Sequence, residues 1–135
     1  MIFALIRLTK IDRITLLSNT ILSVIINNLI KNIIERPRPS HLRLIEQGGY
    51  SFPSGHSMIA VLLYGTLIYF VNKNIKTRKL KIFFNIFFIQ LILFIGISRI
   101  YLGVHYPSDV LGGYFLSLAI IIINISFCNN KFRGD

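Results

Sequence analysis

What most constrains this chain is the separation of its apolar and charged residues along the sequence. Apolar runs at about residues 14–34, 54–72, 82–100 and 107–127 alternate with short segments that hold almost all of the charge. Each run is close to the roughly 20 residues a helix needs to cross the hydrocarbon core of a bilayer. In lipid every backbone polar group must be satisfied within the segment, so such runs are helices. The expected fold is all-α: a transmembrane helix bundle of four spans, forming a single membrane-embedded domain over residues 1–135.

The net charge of +10 would ordinarily point to nucleic acid, but 53% of the residues are hydrophobic and the charge is clustered between the runs. No nucleic-acid motif accompanies it, so nucleic acid is excluded as a partner and the bilayer takes its place. Arg7, Lys10, Arg13, Lys73, Lys76, Arg78, Lys79, Lys81, Lys131 and Arg133 fall on one side of the four spans. Lys31, Arg36, Arg38, Arg43 and Arg99 fall on the other, interspersed with Glu35 and Glu46. The positive-inside rule predicts that both termini are cytoplasmic and that the loops at 35–52 and 100–106 face outward. Residues 1–6 are apolar but too short to span, and basic residues follow them rather than precede them, unlike a signal peptide. The single cysteine, Cys128, excludes an intramolecular disulfide and a cysteine metal cluster. Heavy use of Ile, Asn and Lys fits an AT-rich bacterial genome.

Three polar clusters sit at the edges of the spans on the outward side. Lys31 is followed after six residues by Arg38-Pro39. Pro53-Ser54-Gly55-His56 opens the second run. Ser98-Arg99 is followed after five residues by His105 and after three more by Asp109. Each has an ordinary structural reading: cations snorkelling from a helix end, a capped turn, and a salt-bridged helix end. Together they describe a site. Ser54 is a favoured N-cap, and the amides of Gly55 and His56 would point from the positive end of a helix at an anion such as phosphate. His105 and Asp109 are one helical turn apart and can share a face. Asn19, Asn27 and Asn28 are expected to face other helices, because unpaired amides are costly in lipid. Tyr50, Phe52, Tyr101 and Tyr106 read as interfacial anchors, and Arg36 and His41 as loop residues.

Lys-x6-Arg-Pro, Pro-Ser-Gly-His and Ser-Arg-x5-His-x3-Asp, in this order, resemble the type 2 phosphatidic acid phosphatase family, whose site is shared by vanadium haloperoxidases. Every motif position is filled here. The likeness is strongest to bacterial membrane phosphatases that act on phosphatidylglycerophosphate or undecaprenyl diphosphate. Those proteins carry two helices ahead of the Lys-x6-Arg-Pro helix. The resemblance therefore implies either a naturally minimal form or an N-terminally truncated domain (a gene fragment or a mis-called start). With less buried helix surface, it also implies either a homo-oligomer or a need for the absent segment.

The resemblance implies a multi-pass cell-membrane phosphatase hydrolysing a lipid phosphate or diphosphate at the outer face. His105 would be the nucleophile, forming a phosphohistidine, with Asp109 accepting its other N–H. His56 would protonate the leaving oxygen and then activate water. Lys31, Arg38, Ser54, Gly55 and Arg99 would hold the phosphate and its developing charge. Asp109 is the one carboxylate inside the motifs, too few for a two-metal centre, so no metal and no other cofactor is expected. Two other readings stand beside this one. A vanadate-dependent haloperoxidase is disfavoured by four spans, and the chain could instead be an inactive remnant or a non-enzymatic membrane protein.

Overall fold

The computed structural model describes residues 9–40 and 43–131, with side chains as far as Cys128. The expectations placed on residues 1–6, Arg7, His41, Arg133 and the Lys131 side chain lie outside the described residues. Four helices follow one another: α1 (Lys10–Ile34), α2 (Gly55–Asn74), α3 (Arg78–Tyr101) and α4 (Pro107–Lys131). All four are long and apolar enough to cross a membrane, and no strand occurs among the described residues.

The helices match the four apolar runs, with ends displaced for identifiable reasons. α1 begins four residues before the apolar run because Thr9 and Asp12 form a capping box. The Thr9 backbone N–H donates to Asp12 Oδ2 at 2.9 Å and the Asp12 N–H to Thr9 Oγ1 at 3.2 Å. Lys10 and Arg13 therefore lie on the helix rather than ahead of it. α3 likewise reaches back through Lys81, Lys79 and Arg78. α4 starts at Pro107, whose missing N–H costs nothing in a first turn.

α2 is the centre of the bundle, packed most extensively on α3 and α4, while α1 covers α2 and α4 from the other side. Met58, Val61 and Leu62 of α2 meet Ile120 and Ile121 of α4 in one buried cluster, and Phe70, Val71 and Ile75 meet Phe88 of α3 in another. Close approach is set by glycines. A Cβ at Gly113 of α4 would lie 3.0 Å from the Ser54 carbonyl oxygen, and one at Gly112 would lie 2.5 Å from the Phe52 ring. Phe52 is half-buried against α4, whereas Tyr101 is exposed.

α1 is built inside out. Its buried residues are Asp12, Thr15, Asn19, Ser23 and Asn27, spaced by three or four, while Leu17, Ile21, Ile25, Leu29 and Ile33 face outward. The buried stripe bonds to its neighbours along its length. Lys73 Nζ donates to Asp12 Oδ1 at 2.7 Å, Asn19 Nδ2 to Thr66 Oγ1 at 2.9 Å, and Asn124 Nδ2 to Asn19 Oδ1 at 2.8 Å. Helices in lipid gain little from burying apolar surface, so polar bonds and close packing hold them together. Asn19 and Asn27 face other helices as expected, but Asn28, one residue round the helix, is exposed.

Candidate active site

Three chain segments converge at one end of the bundle: the last turns of α1 with the loop after it, the Pro53–His56 turn that opens α2, and the turn between α3 and α4. They enclose a cavity of ≈ 210 Å³ lined by Asn27, Lys31, Gln47, Gly55, His56, Ile59 and His105.

The turn at α2 folds as its sequence requires. Ser54 is the N-cap, with its Oγ accepting from the Ser57 N–H at 3.5 Å and from Ser57 Oγ at 2.9 Å. Its backbone N–H donates to the Asp109 carbonyl oxygen at 3.0 Å, which ties the start of α2 to the start of α4. Ser54 is fully buried and does not line the cavity; Gly55 and His56 do. The first amides of a helix lack intrahelical acceptors, so this wall presents the positive end of α2. A Cβ at Gly55 would lie 3.3 Å from Asn27 Oδ1, so α1 approaches closely at this point.

The loop after α1 is pinned from within. Ser51 donates its N–H to the Arg36 carbonyl oxygen at 2.8 Å and its hydroxyl to that of Pro37 at 3.0 Å. This holds Arg38 inward, 8% exposed. Arg38 Nε donates to the Gly49 carbonyl oxygen at 3.0 Å and its Nη1 to that of Val104 at 2.9 Å, and the same Nη1 lies 3.3 Å from His105 Nε2. Lys31 Nζ donates to the Tyr50 carbonyl oxygen. Gly103, at φ +68°, makes the left-handed step that turns the chain back from α3 and delivers His105 to the cavity.

His105 is 2% exposed and Asp109 is fully buried. Burial first, and the Arg38 guanidinium second, push the His105 imidazole down to about 4, against the opposing influence of Asp109. The ring is therefore neutral at physiological pH. His105 Nδ1 stands 3.6 Å from Asp109 Oδ2, beyond hydrogen-bond range, and has no partner among the described residues. Asp109 is held elsewhere: Oδ2 accepts from the Tyr106 N–H at 2.8 Å and Oδ1 from Arg36 Nη1 at 2.8 Å.

The structure thus brings Lys31, Arg38, Gly55, His56, His105 and Asp109 to one place. Arg99 stands behind them, its Nε on Ser98 Oγ at 3.2 Å, close enough for its charge to act on His56. Three further residues join the site. Arg36, read from sequence as a loop residue, is ion-paired to Asp109. Asn27 lies four before Lys31 on the same helix face, and that spacing is its signal in the sequence. Gln47 reaches the cavity from the long loop, and nothing in its neighbours along the chain marks it. Among the described residues no three His, Cys, Asp or Glu side chains are grouped to hold a metal ion.

A family model described as the PAP2 superfamily matches residues 13–133. The chain is 40% identical over 101 residues to phosphatidylglycerophosphatase B of Bacillus subtilis, covering 73% of this chain and 49% of that protein. It is 27% identical over 118 residues to an undecaprenyl-diphosphatase of Sulfolobus acidocaldarius, covering 83% of this chain and 53% of that one. Among solved structures, the crystal structure of a transmembrane PAP2 type phosphatidylglycerolphosphate phosphatase from Bacillus subtilis superposes with a TM-score of 0.80 at 36% identity, over 90% of this chain and 60% of that one. The chain spans about half the length of these two curated relatives.

Proposed function

This chain belongs to the PAP2 superfamily, and we propose that it is a membrane-integral phosphatase that releases phosphate from a lipid phosphate or diphosphate through a phosphohistidine on His105. The observation that carries the reading is the neutral, buried imidazole of His105 on the wall of a cavity that Lys31 also lines, with Arg38 at 3.3 Å. Arginine only donates, so His105 Nε2 facing it carries the lone pair and Nδ1 carries the proton. A phosphate entering between Lys31, Arg38 and the Gly55 amide would take over these donors and leave the Nε2 lone pair aimed at phosphorus.

Attack forms the N–P bond as the P–O bond to the lipid breaks, and His56 gives the departing oxygen its proton. The imidazolium positive charge then lies beside Asp109. Water, deprotonated by His56, displaces the imidazole and completes hydrolysis. The transferred group's equatorial oxygens meet the cations rather than a metal, so the proposed chemistry is metal-independent. The basic clusters at the far ends of the helices favour an active site on the outer face of the cell membrane.

The test is phosphate release by the purified chain in detergent from phosphatidic acid, phosphatidylglycerophosphate and undecaprenyl diphosphate, with acid-quench and base-quench trapping of labelled enzyme. A base-stable, acid-labile phosphoenzyme that vanishes in His105→Ala is the expected outcome. Turnover that survives His105→Ala would overturn the assignment of the nucleophile.

A further inference from the structure

Arg36 is one of the six unspecified residues between Lys31 and Arg38 and does not line the cavity, yet it is ion-paired to the buried carboxylate. Its Nη1 bonds Asp109 Oδ1 at 2.8 Å and Ser108 Oγ at 2.7 Å, and its guanidinium lies 4.2 Å from the centroid of the Tyr106 ring. Its carbonyl oxygen takes the Ser51 N–H, so its backbone is fixed as well. With the Tyr106 N–H on Oδ2, the carboxylate is clamped at both oxygens. The clamp leaves His105 Nδ1 unpartnered at 3.6 Å.

We propose that Arg36 is a positioning residue for the His105–Asp109 pair: it holds the carboxylate just short of the resting imidazole, so that the hydrogen bond closes only when His105 becomes charged on phosphorylation. The inference rests on the phosphohistidine reading above. An Nδ1–H···O bond already made at rest would stabilise the starting state as well as the transition state, and only the difference between the two accelerates the step. The Arg36 pair reserves it for the transition state. Because Arg36 is not on the cavity wall, it acts on turnover rather than on substrate capture.

The charged groups around His105 are Lys31 and Arg38 from the α1 side, His56 from α2, and Asp109 with its partner Arg36. Removing Arg36 takes away the cation that shares the carboxylate with His105, which raises the basicity of the ring. Arg36→Ala should therefore move the acid limb of kcat/KM to higher pH by about 1 unit. It should lower kcat by about 10- to 100-fold with KM little changed, and Arg36→Lys should restore part of both. Arg36→Gln, which keeps a donor for Ser108 but not the charge, should shift the limb as Arg36→Ala does. A purely structural role would lower activity at all pH values without moving the limb.

An unshifted limb in both variants, with the phosphoenzyme still formed by the unsubstituted chain, overturns this inference alone. Absence of phosphoenzyme in the unsubstituted chain overturns the phosphohistidine reading and this inference with it.

Discussion

Arg38 Nη1 and His105 Nε2 face each other at 3.3 Å inside a protein wall, with the guanidinium also anchored on the carbonyl oxygens of Gly48, Gly49 and Val104. A guanidinium cannot accept a hydrogen bond, so this contact orients the imidazole and exposes which nitrogen is basic. It also means that the cation is in place before any phosphate arrives.

Replacing Arg38 should therefore damage both binding and chemistry. A charge-assisted bond is worth about 1.5–3 kcal/mol, or roughly 10- to 100-fold in kcat/KM. Arg38→Lys cannot reproduce a fork that spans Gly49, Val104 and His105, and should recover little of the loss. Steady-state kinetics on a soluble phosphomonoester would show this, and wild-type-like rates in Arg38→Lys would contradict it.

The pH dependence follows from the neutral His105. Protonation removes its lone pair, so activity is present above its pKa and lost as pH falls through it. For the free protein that value is about 4, and the acid limb of kcat/KM, which reports the free enzyme, should lie near it. Asp109 opposes the depression, so Asp109→Asn should carry the limb lower still while reducing kcat. A limb displaced upward in Asp109→Asn would contradict the electrostatic picture.

The two histidines should separate by leaving group. His105→Ala should abolish phosphoenzyme and turnover on every substrate. His56→Ala should lose far more on a lipid alkoxide than on nitrophenyl phosphate in the phosphorylation step, since nitrophenolate departs without a proton; general-acid help is worth about 10²- to 10⁴-fold. Equal losses on both substrates would show that His56 does not serve the leaving oxygen.

The stripe on α1 makes a stability prediction. Asn124→Leu removes the donor to Asn19 Oδ1 at 2.8 Å and to Ser18 Oγ at 2.7 Å. Each such bond in a membrane bundle is worth about 0.6–2 kcal/mol. Unfolding titrations in mixed micelles should register the loss, while activity of the folded fraction stays unchanged because Asn124 lies in α4 far along the chain from the Pro107–Asp109 end.

Much of this arrangement was legible in the residues. The four apolar runs announced the helices because the requirement for internal backbone hydrogen bonding in lipid leaves few alternatives. The motif spacings singled out Lys31, Arg38, His56, His105 and Asp109, which the structure gathers at one end of the bundle. What escaped were features decided by packing across the chain. Arg36 and Arg38 are both loop arginines in sequence, and only the Ser51 bonds that pin the loop send one to His105 and the other to Asp109. Asn28 and Asn27 are equally polar, yet one faces the bundle and the other does not. Ser54 caps its helix and is fully buried, with its Oγ accepting from Ser57, so it does not line the cavity. The packing of the Phe52 ring against Gly112 is likewise unmarked by its neighbours along the chain.

The inverted polarity of α1 bears on how heat and cold act on this bundle. In a bilayer, parting α1 from α2 and α4 moves Thr15, Asn19, Ser23 and Asn27 into contact with acyl chains, while Ile21, Ile25 and Leu29 keep the environment they already had. No large apolar area becomes hydrated, and hydration of apolar area is what gives unfolding its positive heat-capacity change. Separation of these helices should then have a nearly constant enthalpy set by the broken hydrogen bonds. Cooling should tighten the association steadily, without the turnover at low temperature that water imposes on proteins held together by an oily core.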